Sequence, residues 1–104
     1  MHGPVRLTLA ITTYERSDAL AAVLATVAAQ TAHPDEVVVA DDGSGDSTRI
    51  AIQRFAASAP YAVREVRQEH AGFRVARLRN LAIAHAQGAY VVFVDLYGDR
   101  KSVV

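Results

Sequence analysis

Glu36-Val37-Val38-Val39-Ala40-Asp41, followed at once by Asp42-Gly43-Ser44-Gly45-Asp46-Ser47, decides the fold class of this chain. The first half is a short β-branched run that does not alternate between polar and apolar, the pattern of a strand covered on both faces and hence of a parallel sheet. The second half is dense in turn formers, and Asp46 or Ser47 is placed to cap a helix carrying Ile52, Phe55, Ala56 and Ala59 on one stripe. Ile50 lies off that stripe and has no place in the reading.

Working upstream, Leu7, Leu9 and Ile11 alternate with Thr8, Ala10 and Thr12, which reads as a strand with one face more deeply buried than the other. Thr13-Tyr14-Glu15-Arg16 is a polar turn, and Ser17 is a good N-cap for a helix over about 18–30, with Leu20, Val23, Leu24, Val27 and Ala28 on one face and Pro34 beyond its end. Downstream, Pro60 ends the second helix and 62–67 is a third, more polar strand suited to a sheet edge. A third helix over about 74–87 presents Leu78, Leu81, Ala82 and His85 on one face, placing His85 at a core margin, and stops at Gly88. Tyr90-Val91-Val92-Phe93-Val94-Asp95 is a fourth strand, expected to be buried. The order βαβαβαβ predicts an α/β fold, a parallel sheet covered by helices on both faces.

The chain has 104 residues, 51% of them apolar, which fits one domain and not two. Eleven basic residues balance 11 acidic ones, so no electrostatic footprint for nucleic acid or an anionic membrane is present. The absence of cysteine excludes disulfides and thiolate sites, and fits a reducing compartment. No run is long and apolar enough for a membrane span, and residues 1–6 lack the apolar core of a signal peptide, so the chain reads as cytoplasmic, with membrane association left open for the full-length protein. Twenty alanines, and ten arginines against one lysine, look like a GC-rich coding sequence, which discounts helix propensity slightly as evidence.

In open α/β sheets the ligand lies beyond the carboxyl ends of the strands. The loops there read TTYERS, DDGSGDS, QEHAGFR and DLYGD, and bring Asp41, Asp42 and Asp95 to one rim. Like charges so placed need hydrogen bonds, solvent or a cation, and the plain alternative is that Asp41 and Asp42 only cap turns. The first turn has no glycine, which argues against a dinucleotide or Walker site, and neither register of the Asp42–Asp46 segment has the twelfth-position glutamate of an EF-hand. Five arginines fall between Arg64 and Arg79; Arg74, Arg77 and Arg79 flank the start of the third helix, where a diphosphate is a plausible guest and a solvated helix face the plain alternative. The histidines show no metal-ligand spacing, and His70 sits on a ligand-side loop without a nameable partner.

ITTYERSDAL, DEVVVADDGSGDST, GFRVARLRNLAIAHAQG and YVVFVD resemble, in order and spacing, the start of family 2 glycosyltransferases with the GT-A fold, over about Val5 to Asp95. The resemblance implies the Rossmann-like half of a GT-A domain that binds a nucleotide-diphosphate sugar and passes the sugar to a saccharide, lipid or protein acceptor, with a divalent metal, Mn or Mg. It implies that Thr12 and Tyr14 line a nucleobase pocket, that Asp41, with Asp42 beside it, meets the base or ribose, and that Arg74 and Arg77 approach the nucleotide. Asp95 corresponds to the opening aspartate of the Asp-X-Asp motif and is the expected metal ligand. Tyr97 stands where the second aspartate belongs, so the metal site reads as incomplete.

The resemblance also implies that acceptor-binding elements and the catalytic base lie beyond this stretch, so residues 1–104 read as a single partial domain that transfers no sugar by itself. Residues 99–104, DRKSVV, are the in-frame translation of a common sequencing adapter beginning GATCGGAAGAGC, with a stop codon next, and read as a non-native tail. The runner-up reading is a non-catalytic nucleotide-binding α/β module; a third, an unrelated phosphate-binding or interaction domain, needs the four matches to be coincidence.

Overall fold

The computed structural model describes residues 7–69 and 75–97. The elements are β1 (Leu7–Tyr14), α1 (Ser17–Ala29), β2 (Glu36–Asp41), α2 (Asp46–Ser58), β3 (Ala62–Arg67), α3 (Val75–His85) and β4 (Tyr90–Tyr97). The strands form one parallel four-stranded sheet in the order β3-β2-β1-β4. The expected α/β class and element order are thus found. From β1 the chain steps outward through β2 to β3, then returns through α3 to pair β4 with the other side of β1. This reversal creates a switch point between β1 and β4, where open α/β sheets leave a crevice for ligands.

Strand alternation feeds two separate cores. Ile11, Val37 and Val39 face α1 and α2 and pack with Leu20, Leu24, Val27, Ile52 and Phe55. Ala10, Val38 and Ala40 face the opposite way and pack with Leu78 and Ala82 of α3. The alanines on that second face let α3 lie close to the sheet. The stripes read from helical periodicity face the cores, with Val23, Ala59 and Leu81 half-buried at their margins, apart from Ala28, Ala56 and His85, which are exposed.

Several expectations are refined or corrected. In β1 the more deeply buried face is the one carrying Thr8, Ala10 and Thr12; Ile11 and Thr13 on the other face are also fully buried, while Leu7 and Leu9 are half-buried, because β1 has a strand on each side and helices on both faces. β4 is not buried but forms an edge of the described sheet, with Tyr90 70% and Val92 50% exposed. β3, at the other edge, matches its polar sequence. Ser17, Asp46 and Ser47 lie inside their helices; the caps are Arg16 and Gly45, neither with a side-chain capping bond. His85 turns outward, and its Nδ1 lies 3.0 Å from the Leu81 carbonyl. Ile50 is exposed, which is why it fits no stripe.

The amino end of the sheet is fastened by a residue that the β-branched run conceals. Glu36 is buried, and its Oε2 accepts the Thr8 hydroxyl at 2.6 Å and the Gln87 backbone N–H at 2.5 Å, while Arg64 Nε lies 3.4 Å from Oε1. Burial pushes this carboxyl up, but Thr8, Gln87 and Arg64 outweigh it and hold it below the usual glutamate range. Gly88 follows, and its N–H donates to Thr8 Oγ1 at 3.0 Å. A Cβ on Gly88 would stand 2.5 Å from that oxygen and 2.8 Å from the Thr8 nitrogen, so only glycine fits this crossing.

Candidate functional site

The parallel register assembles the carboxyl rim. Thr13 is opposite Asp41 and Asp41 opposite Arg67, while Thr12 is opposite both Ala40 and Asp95. Alternation then sends Asp41 to the side of Val37 and Val39, and Asp95 to the side of Val91 and Phe93. The carboxylates that the sequence gathers on one rim therefore leave the sheet on opposite faces. Each finds its own arginine there.

Asp41 is fully buried, and both its oxygens accept the Ser44 N–H, at 3.2 and 3.1 Å. Arg67 Nη1 lies 3.3 Å from Oδ2, and Arg67 Nη2 donates to the Ser44 carbonyl. This is the turn-closing role set out as the plain alternative, joined to an ion pair. Gly43 takes a φ of 86° to make the turn, a region glycine enters without penalty. Ser44 then reaches across to the first loop, its hydroxyl accepting the Glu15 N–H at 2.9 Å. Glu15 holds a φ of 53°, a left-handed conformation that costs a non-glycine residue roughly 1 kcal/mol and marks TTYERS as a shaped turn. Asp42 is buried too; its N–H donates to the Thr13 carbonyl at 2.9 Å and its Oδ1 accepts Gln68 Nε2 at 2.7 Å.

On the other face, Thr12 donates its hydroxyl to Asp95 Oδ1 at 2.5 Å. Arg79 of α3 forks onto the same carboxylate, with Nε 3.3 Å from Oδ1 and Nη2 bonded to Oδ2, while its guanidinium lies 5.4 Å from the centre of the Phe93 ring. Arg79 holds the Asp95 carboxyl below the usual range; burial opposes this and the Thr12 hydroxyl supports it.

Beside Asp42 and the end of β3 opens a cleft of about 430 Å³ lined by Arg67, Gln68, Glu69, Arg77, Asn80 and Leu81. A neighbouring hollow of about 530 Å³ adds Gly43. Two oxygens on the rim, Thr13 Oγ1 and Gln68 Oε1, are buried without a hydrogen-bond partner, a costly state that a bound polar group relieves.

Of the residues expected from the sequence, Thr12 and Asp95 meet directly, Asp41 and Asp42 lie side by side on the rim, Tyr14 ends β1 half-buried, and Arg77 lines the cleft. Arg74 and His70 lie outside the described residues, as do Asp99 and the rest of the 99–104 tail. Arg67, Gln68 and Ser44 were not singled out as site residues, and Arg79, read from the sequence as flanking a diphosphate, pairs instead with Asp95. Their part depends on register and strand order, and the only sequence signal was the arginine excess after Arg64.

The profile of glycosyl transferase family 2 matches residues 8–96, from the first strand to the last. The chain belongs to this family. It is 38% identical over 96 residues to validoxylamine A glucosyltransferase of Streptomyces hygroscopicus subsp. limoneus, covering 90% of this chain and 20% of that protein. It is 34% identical over 90 residues to chondroitin synthase of Escherichia coli, 86% of this chain and 13% of that one. It is 32% identical over 95 residues to hyaluronan synthase of Pasteurella multocida, 90% of this chain and 10% of that one. The chain thus spans between a tenth and a fifth of these relatives' lengths. For a family 2 glycosyltransferase chain, the four-stranded parallel sheet with three helices is the Rossmann-like half of the GT-A fold. No described helix is long and apolar enough to cross a membrane.

The divalent metal general to the family can be tested against the donor set here. Among the described residues no three His, Asp or Glu side chains converge. Asp95 is a single carboxylate whose two oxygens already take Thr12 and Arg79. A hard divalent cation asks for about six oxygens, and this set does not fit one.

Proposed function

We propose that this chain is the donor-nucleotide half of a family 2 glycosyltransferase and binds a nucleotide-diphosphate sugar at the carboxyl rim. The cleft at the end of β3 carries the reading. It combines the guanidinium groups of Arg67 and Arg77 with the buried unpartnered oxygen of Gln68, at the carboxyl ends of the strands, the rim beyond which α/β sheets bind ligands. Thr12, Tyr14, Asp41 and Asp42 form the nucleoside side in this reading and Arg77, with Arg74, the phosphate side; Asp95 stands toward the ribose and diphosphate. A diphosphate is met by fixed donors and guanidinium charge, which need no reorganisation when the ligand arrives. In the whole protein the acceptor would be a saccharide, lipid or protein, positioned together with the base for its hydroxyl by elements outside the described residues, and this stretch would be a cytoplasmic part of that enzyme.

Tyr97 in place of the second Asp-X-Asp carboxylate favours a second reading, a nucleotide-binding module without transfer. Titration of the purified chain with uridine, guanosine, adenosine and thymidine diphosphates by calorimetry tests the common part. Binding of one of them, weakened by Arg77→Ala, is the expected result. No binding by any of the four overturns the proposal. Turnover of a nucleotide sugar by the full-length protein then separates the two readings.

A further inference from the structure

We propose that Arg79 closes Asp95 to divalent cations, so that this chain binds a nucleoside diphosphate without a metal at that carboxylate; the second half rests on the nucleotide reading above. Asp95 belongs to an ordered triad, not to an open acidic position. Thr12 and the two guanidinium nitrogens take three of the roughly four lone-pair sites that a carboxylate offers. Arg79 is fixed from a second direction by the Phe93 ring, 5.4 Å away, so the pair is more than two mobile surface side chains meeting by chance. A cation approaching Asp95 must either displace this fork or sit within a few ångströms of a guanidinium, where like charges repel strongly even in a partly wet setting. The residue two positions on is Tyr97, which brings no second carboxylate to tip the balance.

The same geometry shows how the rim is neutralised. Asp41 is balanced by Arg67 and Asp95 by Arg79, on opposite faces of the sheet. Of the three rim carboxylates, Asp41 and Asp95 are thus met by arginines and Asp42 by the Gln68 amide, while the cleft itself carries Arg67 and Arg77 beside Glu69.

The test is electron paramagnetic resonance of free Mn²⁺ titrated into the full chain, for wild type, Asp95→Asn, Arg79→Met and the double variant. Methionine keeps an apolar stem over Phe93. Wild type and Asp95→Asn are expected to bind Mn²⁺ alike, while Arg79→Met gains a site at least about tenfold tighter that the double variant loses. A wild-type site abolished by Asp95→Asn overturns the proposal, as does an Arg79→Met variant, folded by circular dichroism, that gains nothing. If Arg79→Met does not fold, the comparison of wild type with Asp95→Asn decides alone. Calorimetry with the same four nucleoside diphosphates, in EDTA and then in MnCl₂, tests the second half. Equal affinity within about twofold supports it and a gain above about tenfold with Mn²⁺ refutes it, each factor of ten being 1.4 kcal/mol. Absence of all nucleotide binding removes the nucleotide reading and leaves the Mn²⁺ result standing.

Discussion

Replacing Asp41 with alanine removes a side chain that the structure commits to holding its own loop. Two losses follow. The buried Ser44 N–H loses the carboxylate that it meets at 3.1 and 3.2 Å, and an unmatched buried donor costs about 1–3 kcal/mol. Arg67 loses a partner 3.3 Å away, but its side chain is 37% exposed, so water screens that loss to about 1 kcal/mol instead of the 3–5 of a fully buried pair. Together they come to about 3 kcal/mol, a large part of the 5–15 kcal/mol by which domains are stable, and about 10–20 °C in Tm for a chain of this size. Asp41→Asn keeps an oxygen for Ser44 and loses only the charge, so it should cost about 1 kcal/mol. Thermal unfolding followed by circular dichroism measures both. An alanine variant within 0.5 kcal/mol of wild type, or asparagine and alanine equally destabilised, would refute the assignment. The comparison bears on function, because weaker nucleotide binding by Asp41→Ala alone would report a collapsed loop as readily as a lost contact. With the asparagine variant folded, a fall in nucleoside diphosphate affinity of about 1–3 kcal/mol is the expected sign of a direct contact.

Gly88→Ala should cost about 1–3 kcal/mol in urea unfolding, since its Cβ meets Thr8 at 2.5 and 2.8 Å, whereas alanine at Gly45, where a Cβ meets nothing within 4 Å, serves as the mild control. Because Glu36 is held below its ordinary pKa in the folded chain, it adds stability above an unfolded value of about 4.3, and that share fades as pH falls through the lower folded value. Glu36→Gln should therefore flatten the acid limb of the stability curve and lower the plateau near neutrality; parallel curves for the two proteins would argue against it. The edge of β4, with Tyr90 and Val92 exposed, should promote self-association, and Val92→Lys should reduce it in light scattering across a concentration series. A wild-type chain that stays monomeric throughout would contradict this.

The order of elements and the limits of β2 and β3 follow from local patterns that tertiary structure had no reason to overrule. A run such as 36–41 is apolar on both sides because it is covered on both sides, and the 3.6-residue stripes of α1 and α2 bury Leu20, Leu24, Val27, Ile52 and Phe55 as they read. The position of Asp41, Asp42 and Asp95 at strand ends was equally legible, since strand ends are a property of the chain. Their chemistry was not. Whether a carboxylate meets an arginine depends on which strands are neighbours, in what register, and on which face of the sheet each side chain emerges. None of these is a local quantity.

A strand sequence fixes only the parity of its side chains, so Asp95 and Asp41 remained interchangeable until strand order set β4 beside β1 and β2 on its far side. Strand order likewise left Tyr90–Val94, which its apolar run marks as a buried strand, at an edge of the described sheet, and register turned Glu36 from one more strand residue into the acceptor for Thr8 and Gln87. Local sequence determined what the elements are and which carboxylates stand at the strand ends. The packing of α3 against one face and of α1 and α2 against the other decided how those charges pair, because pairing is a matter of a few ångströms that only the assembled sheet defines.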